Sequence, residues 1–200
     1  MKIGLLICAL TLTAVALVAA APVARIQSIL AKPEVLCGRF DQTKRLVGLK
    51  RPVTSNGRFC VLADKGVLWR SLQPFSTTLR LTRDQIVRMQ GERVTQRLDA
   101  RREPALQMIH NVFFALLAGD LGQLEKFFVV EGDVHEKSWS VTLKAREPGL
   151  AQAISGIALE GGVFVKSIAI DETNGDRTKI VFSAIQTGAG AITAEEAALF

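Results

Sequence analysis

The feature that most limits the fold of this chain is an alternation of apolar and polar residues with a period of two, repeated in short runs between turn signals. Successive side chains of a strand point to opposite faces, so each run describes a strand with one face buried and the other in water. The runs fall at 37–44, 58–63, 67–71, 75–82, 85–90 and 93–99. After an interruption they resume at 128–131, 138–144, 155–159, 163–170 and 178–184. In the first, Phe40 opposes a polar face of Arg39, Asp41, Thr43 and Arg45; in the fourth, Phe75, Thr77, Leu79 and Leu81 share a face. Between the runs lie Gly48, Pro52, Ser55, Asn56 and Gly57, then Asp64, Lys65 and Gly66, then Gly91, residue types that supply turn conformations. Connections this short join neighbours as hairpins, giving about ten antiparallel strands in one sheet, and a sheet that wide curls strongly or closes.

The interruption is helical. Pro104 suits a first helical turn; Ala105, Met108, Ile109, Val112, Phe113, Leu116 and Leu117 then recur at helical spacing until Gly119. A second short helix is expected at 121–128. Another is expected at 23–30, with Val23, Ile26, Ile29 and Leu30 on one face and Pro33 as its stop. The expected fold class is α+β, mainly β: one antiparallel sheet that curls strongly or closes, with two or three helices. No linker divides the 200 residues and no repeat of 20 to 50 residues is visible, so one domain is expected.

The N-terminus sets the compartment. Lys2 precedes an uncharged apolar run from Ile3 to Val18, and Ala19, Ala20 and Ala21 follow, the layout of a secretory signal cleaved after Ala20 or Ala21. A membrane-spanning helix needs roughly 20 apolar residues, more than this run provides. Cys8 lies inside the run behind the bulky Ile7, where lipid attachment requires a small residue. The expected organisation is a signal peptide at 1–20, a domain at 21–185, and a flexible or only loosely docked tail at 186–200 that is rich in small residues. Loss of Lys2 takes the formal charge from +6 to +5, spread along the chain with no dense basic stripe, so nucleic acid is not an expected partner. Cys37 and Cys60 remain, in a compartment where disulfides persist. Either they pair, or they are two buried thiols on neighbouring strands.

Catalytic chemistry finds no foothold. His110 borders a helical apolar face and His135 lies in a turn, and neither has a Cys or second His at ligand spacing. No nucleophile elbow and no phosphate loop is present, and Asp41, Asp84 and Glu125 occur singly. No metal, cofactor or enzymatic activity is expected. What stands out is the apolar side of a wide sheet, and Phe40, Phe59, Val61, Trp69, Leu79, Leu81, Phe113, Trp139, Val141 and Leu143 are the candidate walls of an apolar ligand cavity.

Several segments resemble the LolA-like lipoprotein carriers. The run LCGRFDQTKRL, with Phe40 two before Gln42, resembles their opening strand, as does the later Gly57, Arg58, Phe59; KGVLWRSLQPF resembles their turn followed by a strand tryptophan and a proline. The strand with Trp139, the helix near Pro148, the 163–170 strand, Asn174-Gly175-Asp176 and the 178–182 strand then follow in the family's order, so the resemblance covers about 36–184. It implies an unclosed antiparallel barrel with helices over its open face. Its apolar interior would receive lipid or lipoprotein acyl chains and move them through the periplasm of a Gram-negative-type bacterium. The partners would be an inner-membrane release complex and an outer-membrane acceptor, with the carrier a monomer. Two departures mark a divergent paralogue, one suited to a different lipid. Lys65, the expected lid contact, stands where the family commonly has an arginine that hydrogen-bonds the lid, and it is followed by Gly66 rather than proline. The family's second strand tryptophan is missing near 84–89. The alternative reading is an envelope lipid-sensing or regulatory binding module of the same fold.

Overall fold

The computed structural model describes residues 22–63, 65–82, 84–99, 114–115 and 120–200. Helix α1 (Pro22–Ile29) leads into a first run of strands: β1 (Val35–Arg45), β2 (Val53–Leu62), β3 (Gly66–Gln73), β4 (Thr77–Leu81), β5 (Gln85–Gln90) and β6 (Arg93–Asp99). After the short helix α2 (Leu121–Leu124) come β7 (Phe128–Val134), β8 (Trp139–Ala145), α3 (Pro148–Ala151), β9 (Ile154–Gly161), β10 (Val165–Glu172) and β11 (Arg177–Thr187). A single 3-10 turn (Ala189–Ala191) and α4 (Ala194–Ala197) end the chain. The strands expected from the alternation are all present, β5 and β6 at the expected bounds, β4 shorter at both ends, and the others longer or shifted by a few residues. The helix expected at 104–118 lies outside the described residues except for Phe114 and Ala115, which are helical. The expected 121–128 helix is shorter, because Phe128 already belongs to β7.

All eleven strands form one antiparallel sheet in the order β6-β5-β4-β3-β2-β1-β11-β10-β9-β8-β7. Two meanders, β1 to β6 and β7 to β11, are thus sewn together by one long-range ladder between β1 and β11, while among the described residues β6 and β7 are the edges and the sheet is unclosed. That ladder carries a bulge. Cys37 faces Gln186 and Arg39 faces Ser183, so β11 holds an extra residue around Ala184, whose φ is +49°. The left-handed region costs a non-glycine residue roughly 1–2 kcal/mol, and here it resets the alternation. Ile180 and Phe182 are buried on one face, and past the bulge Ile185 packs against the same cluster.

One face of the sheet supplies the main core. Phe40, Phe59, Val61, Trp69 and Leu81 from the first meander and Trp139, Val141, Leu143, Ile157 and Leu159 from the second belong to one buried cluster, joined by Val23, Ile26 and Leu30 around α1 and by Leu121 and Leu124 of α2. Phe75 does not share this face as the alternation suggested. It lies before β4 begins, beyond the Gln73–Pro74 cis peptide, and is exposed. Proline cannot extend the ladder, so the run breaks there.

The opposite face holds a second, smaller cluster. Cys37 and Cys60, directly opposed on β1 and β2 with Cα atoms 4.1 Å apart, form a disulfide, and Leu68, Ala191, Ile192, Leu199 and Phe200 pack around it. The C-terminal segment therefore differs from the tail its small residues suggested. A capping box between Thr193 and Glu196 starts α4, Arg58 donates to the Ala191 carbonyl and to Glu196, and Arg80 donates to the Leu199 carbonyl.

Candidate functional site

Four aromatic rings mark the centre of the main cluster, one from each of β3, β2, β1 and β11. Phe40 stacks on Trp69 with ring centroids 3.7 Å apart and planes 23° apart, Phe59 meets Phe182 at 4.9 Å, and Trp69 meets Phe182 edge-on at 6.2 Å. Trp69 and Phe182 stand three strands apart, about 14 Å on a flat sheet, and two more aromatic strands lie between them. Their rings meet because the sheet curls toward this face.

The aromatics fit because glycines lie opposite them. Phe59 pairs with Gly38, where an added Cβ would stand 2.9 Å from the ring. Phe40 pairs with Gly57, where a Cβ would stand 1.9 Å from the Arg70 carbonyl oxygen and 2.9 Å from the Phe40 ring. In the second meander Trp139 lies over Gly161 in the same way and donates its indole N–H to the Gly162 carbonyl at 2.8 Å. A large ring over a bare backbone lets it lie flat along the sheet rather than stand off from it.

Of the candidate wall residues, Phe40, Phe59, Val61, Trp69, Leu81, Trp139, Val141 and Leu143 are brought together in this one cluster, with Leu79 half-buried against it. Phe113 lies outside the described residues. Lys65, the candidate lid contact, is exposed in the turn between β2 and β3, where its amide donates to the Leu62 carbonyl. Residues not singled out from the sequence complete the cluster: Phe182, Ile180, Ile157, Leu159, Phe128 and Leu36. The alternation of Thr178, Ile180 and Phe182, and of Ile157, Leu159 and Gly161, carried the signal for most of them.

At one end of the face a pocket of about 160 Å³ is lined by Lys32, Pro33, Leu36, Val61, Ala63, Phe114 and Asp120. Its walls are mostly apolar, and Leu36 and Val61 are cross-strand partners. A dry apolar cavity of roughly 150 Å³ accepts one benzene ring, so the pocket matches the tip of a hydrocarbon chain rather than its length. No group of three or more His, Cys, Asp or Glu side chains that could hold a metal occurs among the described residues. Among them, too, no helix is long and apolar enough to cross a membrane.

The electrostatics concentrate on the other face. Arg39, Arg58 and Arg70 are consecutive cross-strand partners on β1, β2 and β3, an arrangement of like charges that repels. Glu196, 2% exposed, answers it with Arg58 at 2.7 Å and Arg70 at 3.9 Å, and Glu195 pairs with Arg70 at 3.1 Å. Burial pushes the Glu196 carboxyl up, but the Arg58 guanidinium and the Thr193 amide and hydroxyl outweigh it, so the group titrates below the usual carboxylate range.

Residues 15–199 match the family described as outer membrane lipoprotein carrier protein LolA-like. A comparison with the curated proteins gives no match. Among solved structures, the fold is similar to a chain of the Pseudomonas aeruginosa MucA/MucB complex, with a TM-score of 0.51 and 15% identity over 88% of this chain and 60% of that one. Two others are a LolA-superfamily protein from Nitrosomonas europaea (TM-score 0.44, 5% identity, 83% of this chain and 91% of that one) and a putative outer membrane lipoprotein-sorting protein domain from Vibrio parahaemolyticus (0.45, 10%, 86% and 93%). With nearly the whole sequence matched, the chain belongs to the LolA-like family of outer membrane lipoprotein carrier proteins.

Proposed function

We propose that the protein is a periplasmic carrier that binds lipid or lipoprotein acyl chains against the apolar face of its sheet and moves them from the inner toward the outer membrane. The reading rests on one observation: both meanders turn a single apolar face into one cluster, and Leu36 and Val61 of that cluster, with Phe114, line a pocket at its end. Each CH₂ of an acyl chain left in water costs about 0.8 kcal/mol, so a soluble carrier must shield most of the chain. The pocket as it stands is too small for that. The edges β6 and β7 are not hydrogen-bonded to each other, so the sheet can widen without breaking a ladder. Helices α1 and α2, whose apolar side chains join the cluster on this face, would serve as the part that yields. No covalent step is assigned to the protein.

The test is transfer of labelled lipid between donor and acceptor vesicles, with mass spectrometry of the lipid before and after. Val61→Glu puts a carboxylate in the pocket wall, where burying an unpaired charge costs several kcal/mol unless it reaches water. The variant should remain folded and lose lipid retention and transfer. Transfer at the wild-type rate by the folded variant would remove the pocket from the reading. A regulatory binding module, the second reading suggested by the fold shared with a chain of the MucA/MucB complex, would hold lipid without delivering it. An enzyme would change the lipid's mass.

A further inference from the structure

The end of the sheet opposite the pocket carries a feature that cargo binding does not use. Of the eight large apolar side chains exposed among the described residues, five lie here: Val47, Leu49 and Val53 in and beside the β1–β2 connection, and Leu72 and Phe75 where β3 gives way to β4, with exposures from 46 to 75%. The strand registers place both connections at the same end, since Lys44 pairs with Val53, Asn56 with Gln73, and Ser71 with Thr77. Exposed apolar residues scattered singly need no explanation; five gathered on two adjacent connections do.

Their surroundings point to the partner. Residues 44–53 contain Lys44, Arg45, Lys50 and Arg51 and no carboxylate. Lys44 is paired with Glu172 at 3.0 Å, whereas Arg45, Lys50 and Arg51 are exposed and make no ion pair among the described residues. The connection is also held in place: the Val47 amide donates to the Asp176 carboxylate at 2.8 Å, and the Leu49 amide to the Leu46 carbonyl at 3.1 Å. Apolar side chains interleaved with unpaired cations on a fixed projection suit the boundary of an anionic bilayer, where the side chains enter the acyl region and the cations meet headgroups. A protein partner of acidic character would satisfy the cations but would not offer the apolar tips the hydrocarbon that the acyl region of a bilayer supplies.

We propose that this end of the sheet docks the protein on an anionic lipid bilayer through Val47, Leu49 and Phe75, with Lys50 and Arg51 supplying the charge selectivity. The inference goes beyond the carrier reading, because it concerns how the protein meets a membrane and leaves the pocket, at the other end of β1 and β2, unobstructed. Vesicle flotation tests it, with phosphatidylcholine alone or mixed with phosphatidylglycerol. Wild type and variants carry the same N-terminus, since an apolar run such as 3–18 binds lipid by itself. The wild type should partition more strongly to the anionic vesicles, and less so as salt is raised. Lys50→Gln with Arg51→Gln should lose the anionic preference, about fivefold for each charge removed. Leu49→Asp, and separately Phe75→Ser on the second connection, should weaken binding to vesicles of either composition. These side chains are exposed, so thermal melts should match the wild type. Unchanged partitioning in all three variants, or binding that requires an added membrane protein, would overturn the proposal.

Discussion

On one face of β1, β2 and β3, Phe40, Phe59 and Trp69 stack over glycines and meet Phe182 of β11; on the other, a disulfide between Cys37 and Cys60 is covered by residues from the far end of the chain. The inner face gains its stability from apolar area and ring packing, which is non-directional and spread over many residues. The outer face is small and depends on a few specific contacts: one covalent bond, a capping box, and Glu196 among arginines that would otherwise repel one another. Under the proposed carrier function, the inner face would exchange side-chain contacts for ligand contacts, while the outer face would hold the β1–β2–β3 frame fixed during that exchange.

Phe40→Ala removes a fully buried ring stacked on Trp69 and should destabilise by about 3–5 kcal/mol in urea unfolding. A much smaller loss would show that the inner face is already loosely filled, as an empty cargo cavity would be. Replacing both Cys37 and Cys60 with Ala reopens a link of sequence separation 23. Releasing a loop of that length destabilises by roughly 3 kcal/mol, and the same melts with and without reductant on the wild type provide the control.

Glu196→Gln keeps the shape and removes the charge, and should lower stability by about 2 kcal/mol at neutral pH. Because its folded-state pKa lies below the unfolded value of about 4.3, the contribution of the carboxylate is fully present above that value and is lost as pH falls through the folded one. Stability curves of wild type and variant, measured against pH, should converge on the acid side. Parallel curves would mean that the ion pair with Arg58 is not what docks the tail. Glu195→Ala, removing a carboxylate that is mostly exposed and pairs with Arg70, should change stability by no more than about 0.5 kcal/mol.

The legibility of the two faces differs for the same reason that their energetics do. The inner face could be read from local pattern, because each strand's alternation of large apolar and polar residues is set within a few positions. Phe40, Trp69, Trp139, Val141 and Leu143 could be named from it. Phe75 was misplaced because Pro74 interrupts the strand before the pattern does. Ile185 was hidden by the bulge at Ala184, which shifts its phase. The outer face offered little pattern: its tail is rich in Ala and Gly, and the signals that dock it are single residues, Thr193, Glu196 and Phe200.

The sequence by itself determined that this is a β-rich chain of hairpins with one apolar face, since a period of two and turn residues at short intervals are local properties of the backbone. It also carried enough of the family's order of motifs to be recognised. Only the tertiary structure decided that β1 pairs with β11 to join two meanders, that the sheet stays unclosed between β6 and β7, and that residues 189–200 pack over the disulfide. Those choices join residues more than a hundred positions apart, as Arg58 and Glu196 are. They follow from the complementarity of surfaces that exist only once the sheet has formed, which no short window of sequence contains.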